Sequence, residues 1–168
     1  MFINLLYFSM MNSRIWIYTI SNPLTEAQLR ELKTRCQDFV STWTAHEVSL
    51  DASFELYKNR LLIFKVNEAS YNASGCSIDK QVRLVKELEQ VFSVELLNRL
   101  LVAYEKNEEV MVVKQSEIAD LLQQGVITEN TLVFDNTLFQ AADLATRWKR
   151  PLKDTWLAKY LSSTKTIS

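Results

Sequence analysis

The chain has 168 residues, 48% of them hydrophobic and 23% charged, which suits one globular domain with a core of its own. Its 19 basic and 20 acidic residues give a net charge of -1 without a long run of either sign, so it lacks the electrostatic footprint of a nucleic-acid-binding protein. The two cysteines, Cys36 and Cys76, form no C-x-x-C pair, which argues against a disulfide scaffold or a cysteine zinc site and for a reducing, cytoplasmic setting.

The opening MFINLLYFSMM is apolar, but it has no basic n-region or small-residue cleavage site. It is also far shorter than the roughly 20 residues of a membrane span. Residues 1–10 are therefore expected to be an upstream extension, with translation able to start at Met11 and no membrane span. RIWIYTI, closed by Ser21, Asn22 and Pro23, predicts a buried strand. Thr25 and Gln28 form a capping box, with Leu24 and Leu29 as a hydrophobic staple. Leu29, Leu32, Cys36, Phe39, Val40 and Trp43 then recur on one helical face, which places Cys36 in the core.

Two strand-like runs around Lys58 and Asn59 predict a hairpin. Ile78, Val82, Val85, Leu88 and Phe92 predict the inner face of a second helix, and residues 100–113 predict two strands around Lys106 and Asn107. The order β-α-β-β-α-β-β contains the ferredoxin-like, split βαβ unit, whose antiparallel sheet carries both helices on one face. The expected fold is thus a single α+β domain over 11–161 with a C-terminal helical extension and a frayed tail at 162–168. In that extension Ser116 caps a short helix ended by Gly125, TLVFD is a strand, 138–148 is a helix, and a last turn docks through Trp156 and Tyr160. Lys149 and Arg150, with Lys153 nearby, read as a solvated helix end.

SGCSIDKQ, residues 74–81, is the stretch with chemical content. In one reading Gly75 permits a tight approach, Ser77 is the N-cap, Asp79 complements the helix dipole in the first turn, and Cys76 packs as a small hydrophobe. In the other, the helix start binds a small anionic ligand or a protein partner through Ser74, Gly75, Ser77 and Lys80. A cysteine-dependent enzyme is the alternative form of that reading. There Cys76 is the nucleophile, and His46 (the only histidine) or Asp79 assists it. Split βαβ topology sets the end of the first helix and the start of the second at opposite ends, which argues against a Cys76–His46 pair. No metal-ligand spacing or cofactor motif is present. Asn72, Ala73 and Ser74 match a glycosylation sequon but read as a polar loop. The four tryptophans read chiefly as core, with a ligand cleft as their second use.

RIWIY, FVSTWTAHEVSLDAS, ASGCSIDKQVRLVKELE and WKRPLKDTW together resemble a family of small bacterial proteins, mostly from Bacteroidetes. Its members are sometimes labelled ABC transporter ATPases, and no activity is attached to them. The Gly-Cys-Ser-Ile-Asp-Lys block is the most specific part, although the family usually has Ser where Gln81 stands and often Gly where Glu47 stands. The resemblance implies a shared site without naming its chemistry. The ATPase label itself fails on physical grounds. A P-loop needs G-x-x-x-x-G-K-[ST] to wrap phosphates and bind magnesium, whereas Gly75 and Gly125 are the only glycines and Gln81 follows Lys80.

Overall fold

Residues 61–66, LLIFKV, make an almost unbroken apolar run, the pattern of a strand covered on both faces. In the computed structural model, which describes residues 12–162, they lie at the centre of the molecule. The chain runs through β1 (Ser13–Thr19), α1 (Glu26–Thr42), a small ribbon of β2 (Thr44–Ala45) and β3 (Val48–Ser49), β4 (Ala52–Tyr57) and β5 (Leu61–Asn67). It continues through α2 (Gly75–Phe92), β6 (Leu101–Lys106), β7 (Glu109–Lys114), α3 (Ile118–Gln123), β8 (Leu132–Phe134), α4 (Leu144–Arg147) and β9 (Lys149–Pro151). The result is a single α+β domain built on antiparallel sheets.

The strands divide between two sheets, where the split βαβ expectation has one. β5 is flanked by β1 and β4, and β7-β6-β8-β9 make a second sheet. The first sheet keeps the split βαβ arrangement of its first three strands: β1 and β5 are antiparallel neighbours, with Ile15 opposite Lys65 and Tyr18 opposite Leu62, and β4 lies on the other side of β5. The departure lies in the fourth strand, β6, which pairs in the other sheet. The far edge of β1 is taken by a later segment, through an Ile15 N–H to Phe139 carbonyl bond of 3.0 Å and a bridge from Arg14 to Gln140, so β6 does not extend this sheet.

Period-two alternation then sorts the core. Leu62, Phe64 and Val66 face Leu32, Cys36, Val85 and Leu88 of the two long helices, which share one face as expected. Leu61 and Ile63 point the other way, against Ala103, Val110 and Phe134 of the second sheet. The outer face of that sheet is closed by Ile118, Ile127, Leu152 and Leu157. Both main hairpins turn on residue pairs with left-handed backbone. Lys58 and Asn59 (φ 48° and 56°) match expectation, whereas Asn107 and Glu108 (φ 51° and 63°) place the second turn one residue further on.

The C-terminal layer is less helical than its pattern suggests. Residues 138–148 supply only a 3-10 turn and the single turn of α4, and 149–151 form a strand where a helix end is expected. Lys149 is paired with Glu105, Arg150 with Asp135 at 3.7 Å, and Lys153 donates to Asn130 at 2.8 Å, so these cations are engaged within the fold. The helical segment before Gly125 starts with Glu117 accepting from the Lys114 N–H at 2.8 Å, not with Ser116 as cap. The final turn docks through Leu157 and Tyr160, while Trp156 stays 49% exposed. No helix of the described residues is long and apolar enough to cross a membrane. The 1–10 extension, the start at Met11 and residues 163–168 of the tail lie outside the described residues.

Candidate functional site

The start of α2 is a reciprocal capping box built on Ser74. The Ser74 hydroxyl accepts from the Ser77 N–H at 3.3 Å, and the Ser77 hydroxyl accepts from the Ser74 N–H at 2.8 Å while donating to the Ser74 carbonyl. Ser77 is therefore not the N-cap but the third residue of the helix, and it is fully buried. Asp79 consequently falls beyond the first turn. A Cβ on Gly75 would meet nothing within 4 Å, so no close approach calls for glycine there. Cys76 is exposed and does not pack as a core residue, unlike Cys36, whose thiol burial pushes up to about 12. The helix is also rolled from its expected orientation. Ser77 and Gln81 join Val85, Leu88 and Phe92 on the buried face, while Ile78 and Val82 turn partly outward.

The expectation that split βαβ topology sets the end of the first helix and the start of the second at opposite ends is overturned, because the antiparallel pairing of β1 with β5 brings them to the same end. α1 follows β1, α2 follows β5, and the two helices run in opposite directions. The end of α1 therefore meets the start of α2. Trp43 Nε1 donates to the Ser77 carbonyl at 2.8 Å, and Lys80 Nζ donates to Thr44 Oγ1 at 3.0 Å. His46 sits on the ribbon beyond Thr44, exposed and with φ 47°. No hydrogen bond or ion pair joins His46, Cys76 and Asp79, and no group of three metal-ligating side chains occurs among the described residues. Ser74, Ser77 and Lys80 are thus occupied with one another and with Thr44, which leaves the Gly75 and Cys76 amides at the exposed helix end.

A concave feature lies along β1. A groove of about 440 Å³ is lined by Trp16 and Tyr18 of β1, Ile78 and Val82 of α2, and Phe134, Asn136, Trp156 and Leu157 of the later segments. Arg14 lies over the Trp16 ring, 5.0 Å from its centroid, and Arg99 also lines the groove. Neither arginine forms an ion pair among the described residues, whereas the Asp135 carboxylate is engaged by Arg150 and Thr137. The loop that carries Arg99 is pinned by Glu89, whose carboxylate accepts from the Leu96 and Leu97 N–H groups at 2.6 and 2.8 Å. Burial pushes the Tyr18 hydroxyl up to about 12 against the lowering effect of Arg99. It stays protonated and donates to Gln81 Oε1 at 3.0 Å, while Gln81 Nε2 is buried without a partner.

Of the residues singled out in sequence, Trp16 and Trp156 line this groove and the second helix supplies Ile78 and Val82, while Cys76, His46 and Asp79 do not. Arg14, Arg99 and Asn136 escape a sequence reading because no local spacing connects them. The one available signal is Arg14 two residues before Trp16, which puts both on one face of a strand. Comparison with protein-family models, curated proteins and solved structures finds no match for this chain.

Proposed function

We propose that this protein is a binding domain for a small anionic molecule with a flat apolar body, held in the groove along β1. The observation that carries this reading is the pairing of two tryptophans, Trp16 and Trp156, with two arginines free of ion pairs among the described residues, Arg14 and Arg99, in one groove of about 440 Å³. Small-molecule sites typically enclose about 300–1,000 Å³, with apolar walls and a few convergent polar groups. Arginine supplies a planar fork for a carboxylate, sulfonate or phosphate, and the indole rings offer stacking surfaces to an aromatic body. In this reading the second helix contributes a wall through Ile78 and Val82, and the anion is met by side chains at the groove, not by the helix-start amides. No base stands within hydrogen-bond reach of Cys76, so the cysteine-dependent alternative draws no support from the geometry.

The test is a fluorescence titration with 8-anilinonaphthalene-1-sulfonate, an aromatic anion of this kind. Saturable one-to-one binding to the native protein is expected, weakened about tenfold or more by Arg14→Ala or Arg99→Ala, in keeping with the value of a charge-assisted contact. Cys76→Ala should leave it unchanged. An unsaturable signal, or one indifferent to both arginine variants, refutes the assignment.

A further inference from the structure

The opposite edge of the first sheet carries a second, independent feature. In an antiparallel ladder alternate residues turn their N–H and C=O toward a given neighbour. The Ile15 N–H points away from β5, toward Phe139, so Lys65 opposite it turns to β4 and bonds Ser53. Ser53, Glu55 and Tyr57 therefore complete the ladder, and Ala52, Phe54 and Leu56 direct their backbone groups outward. These groups have no partner among the described residues.

Other edges are guarded. That of β1 is covered by the Phe139 and Gln140 backbone, β9 contains Pro151, and β7 begins and ends on Glu109 and Lys114. β4 has no proline, lysine or bulge, and its one charged residue, Glu55, is not in the outward-bonding set. Alongside this edge runs a groove lined by Phe54, Leu56 and the Lys33, Thr34, Gln37 and Asp38 flank of α1, so the helix leaves the strand accessible.

We infer that the occupant of this edge is a second copy of the chain, joined through antiparallel β4–β4 pairing into a continuous six-stranded sheet. The strand is self-complementary about Phe54. In that register Phe54 pairs with itself, Ala52 pairs with Leu56 of the partner in both directions, and every outward backbone group is satisfied. Ser53 falls opposite Glu55 of the partner, which avoids setting two glutamates face to face. The flank of α1 follows the same symmetry. Lys33 and Asp38 are exposed and have no ion pair among the described residues, and a two-fold axis turns the lysine end of one helix toward the aspartate end of the other.

Sedimentation velocity of the full chain over a concentration series tests this, and a reversible monomer–dimer equilibrium is expected. Lys33→Asp or Asp38→Lys alone weakens dimerisation about tenfold, and the two together restore it to within about threefold, since reversal of both charges recreates the attraction. Unchanged melting of the three variants as dilute monomers verifies that the fold is intact. The Phe54 and Leu56 amides are slow to exchange at dimer-forming concentrations and fast on dilution. A chain that stays monomeric up to millimolar concentration overturns the inference. So does a dimer indifferent to the charge reversals, or a foreign strand captured by an otherwise monomeric chain.

Discussion

The two long helices begin with the same device and use it differently. At the start of α1, Thr25 and Gln28 exchange hydrogen bonds of 2.9 and 3.3 Å at the surface. At the start of α2, Ser74 and Ser77 do the same, but Ser77 is fully buried, its carbonyl receives the Trp43 indole, and Gln81 one turn on receives Tyr18. The first box starts a helix, and among the described residues its two side chains bond only within the box. The second also ties α2 to the end of α1 and to β1, so a local motif has acquired long-range partners. A local rule therefore estimates the first correctly and underestimates the second.

Ser77→Asp should separate the two most sharply. A serine acting as an exposed cap would tolerate aspartate, but here the carboxylate would be buried beside the Ser74 carbonyl, at a cost of about 3 kcal/mol or more. Chemical denaturation reads this directly, and near-neutrality would show that the Ser77 environment opens to water. Trp43→Phe comes next. It keeps an aromatic ring but removes the donor to the Ser77 carbonyl, and about 2 kcal/mol should be lost. Combined with Ser77→Ala, its cost should be less than additive, because both variants damage one contact region.

Thr25→Ala at the surface box should cost only about 1 kcal/mol and should be additive with Trp43→Phe. A loss equal to that of Ser77→Asp would erase the contrast between the two starts. The smallest effect is a gain. Gly75→Ala, in helical backbone with open space where its Cβ would stand, should stabilise by about 0.5 kcal/mol through the unfolded state. Its melting temperature should rise slightly, and a fall would mean that something approaches Gly75 after all.

The contrast also explains which features were legible in the sequence. The Thr25–Gln28 box and the Lys58–Asn59 hairpin depend on residues a few positions apart, and local chemistry decided them correctly. Ser74 and Ser77 are both serines, so preference alone placed the cap three residues late. The roll of α2 is hidden from an apolar pattern, which sets Ile78 and Val82 in the core and polar Ser77 and Gln81 at the surface. Burial of those two polar side chains is sustained by Ser74, Tyr18 and Trp43, partners distant in sequence or hidden in the cap. The meeting of Trp43 with Ser77 follows from the antiparallel β1–β5 pairing, and the division into two sheets from the Phe139–Gln140 segment that takes the edge of β1. No periodicity carries either relation. The β1 groove needs residues from the first strand, from the loop after α2 and from the segment after β8, so only its tryptophans stood out.

Because β5 is enclosed on both faces and paired on both edges, its position is risky before the fold is complete. Residues 61–66 combine high strand propensity with only one charge, Lys65, which is the composition of a segment that stacks with copies of itself when left unprotected. Its native neighbours arrive at different times during synthesis. β1 and β4 precede it, but α2 and the second sheet, which cover its two faces, are made only afterwards. Lys58 and Arg60 before the run, Lys65 within it and Glu68 after it are charges placed as gatekeepers are, against self-stacking until the two covering layers close.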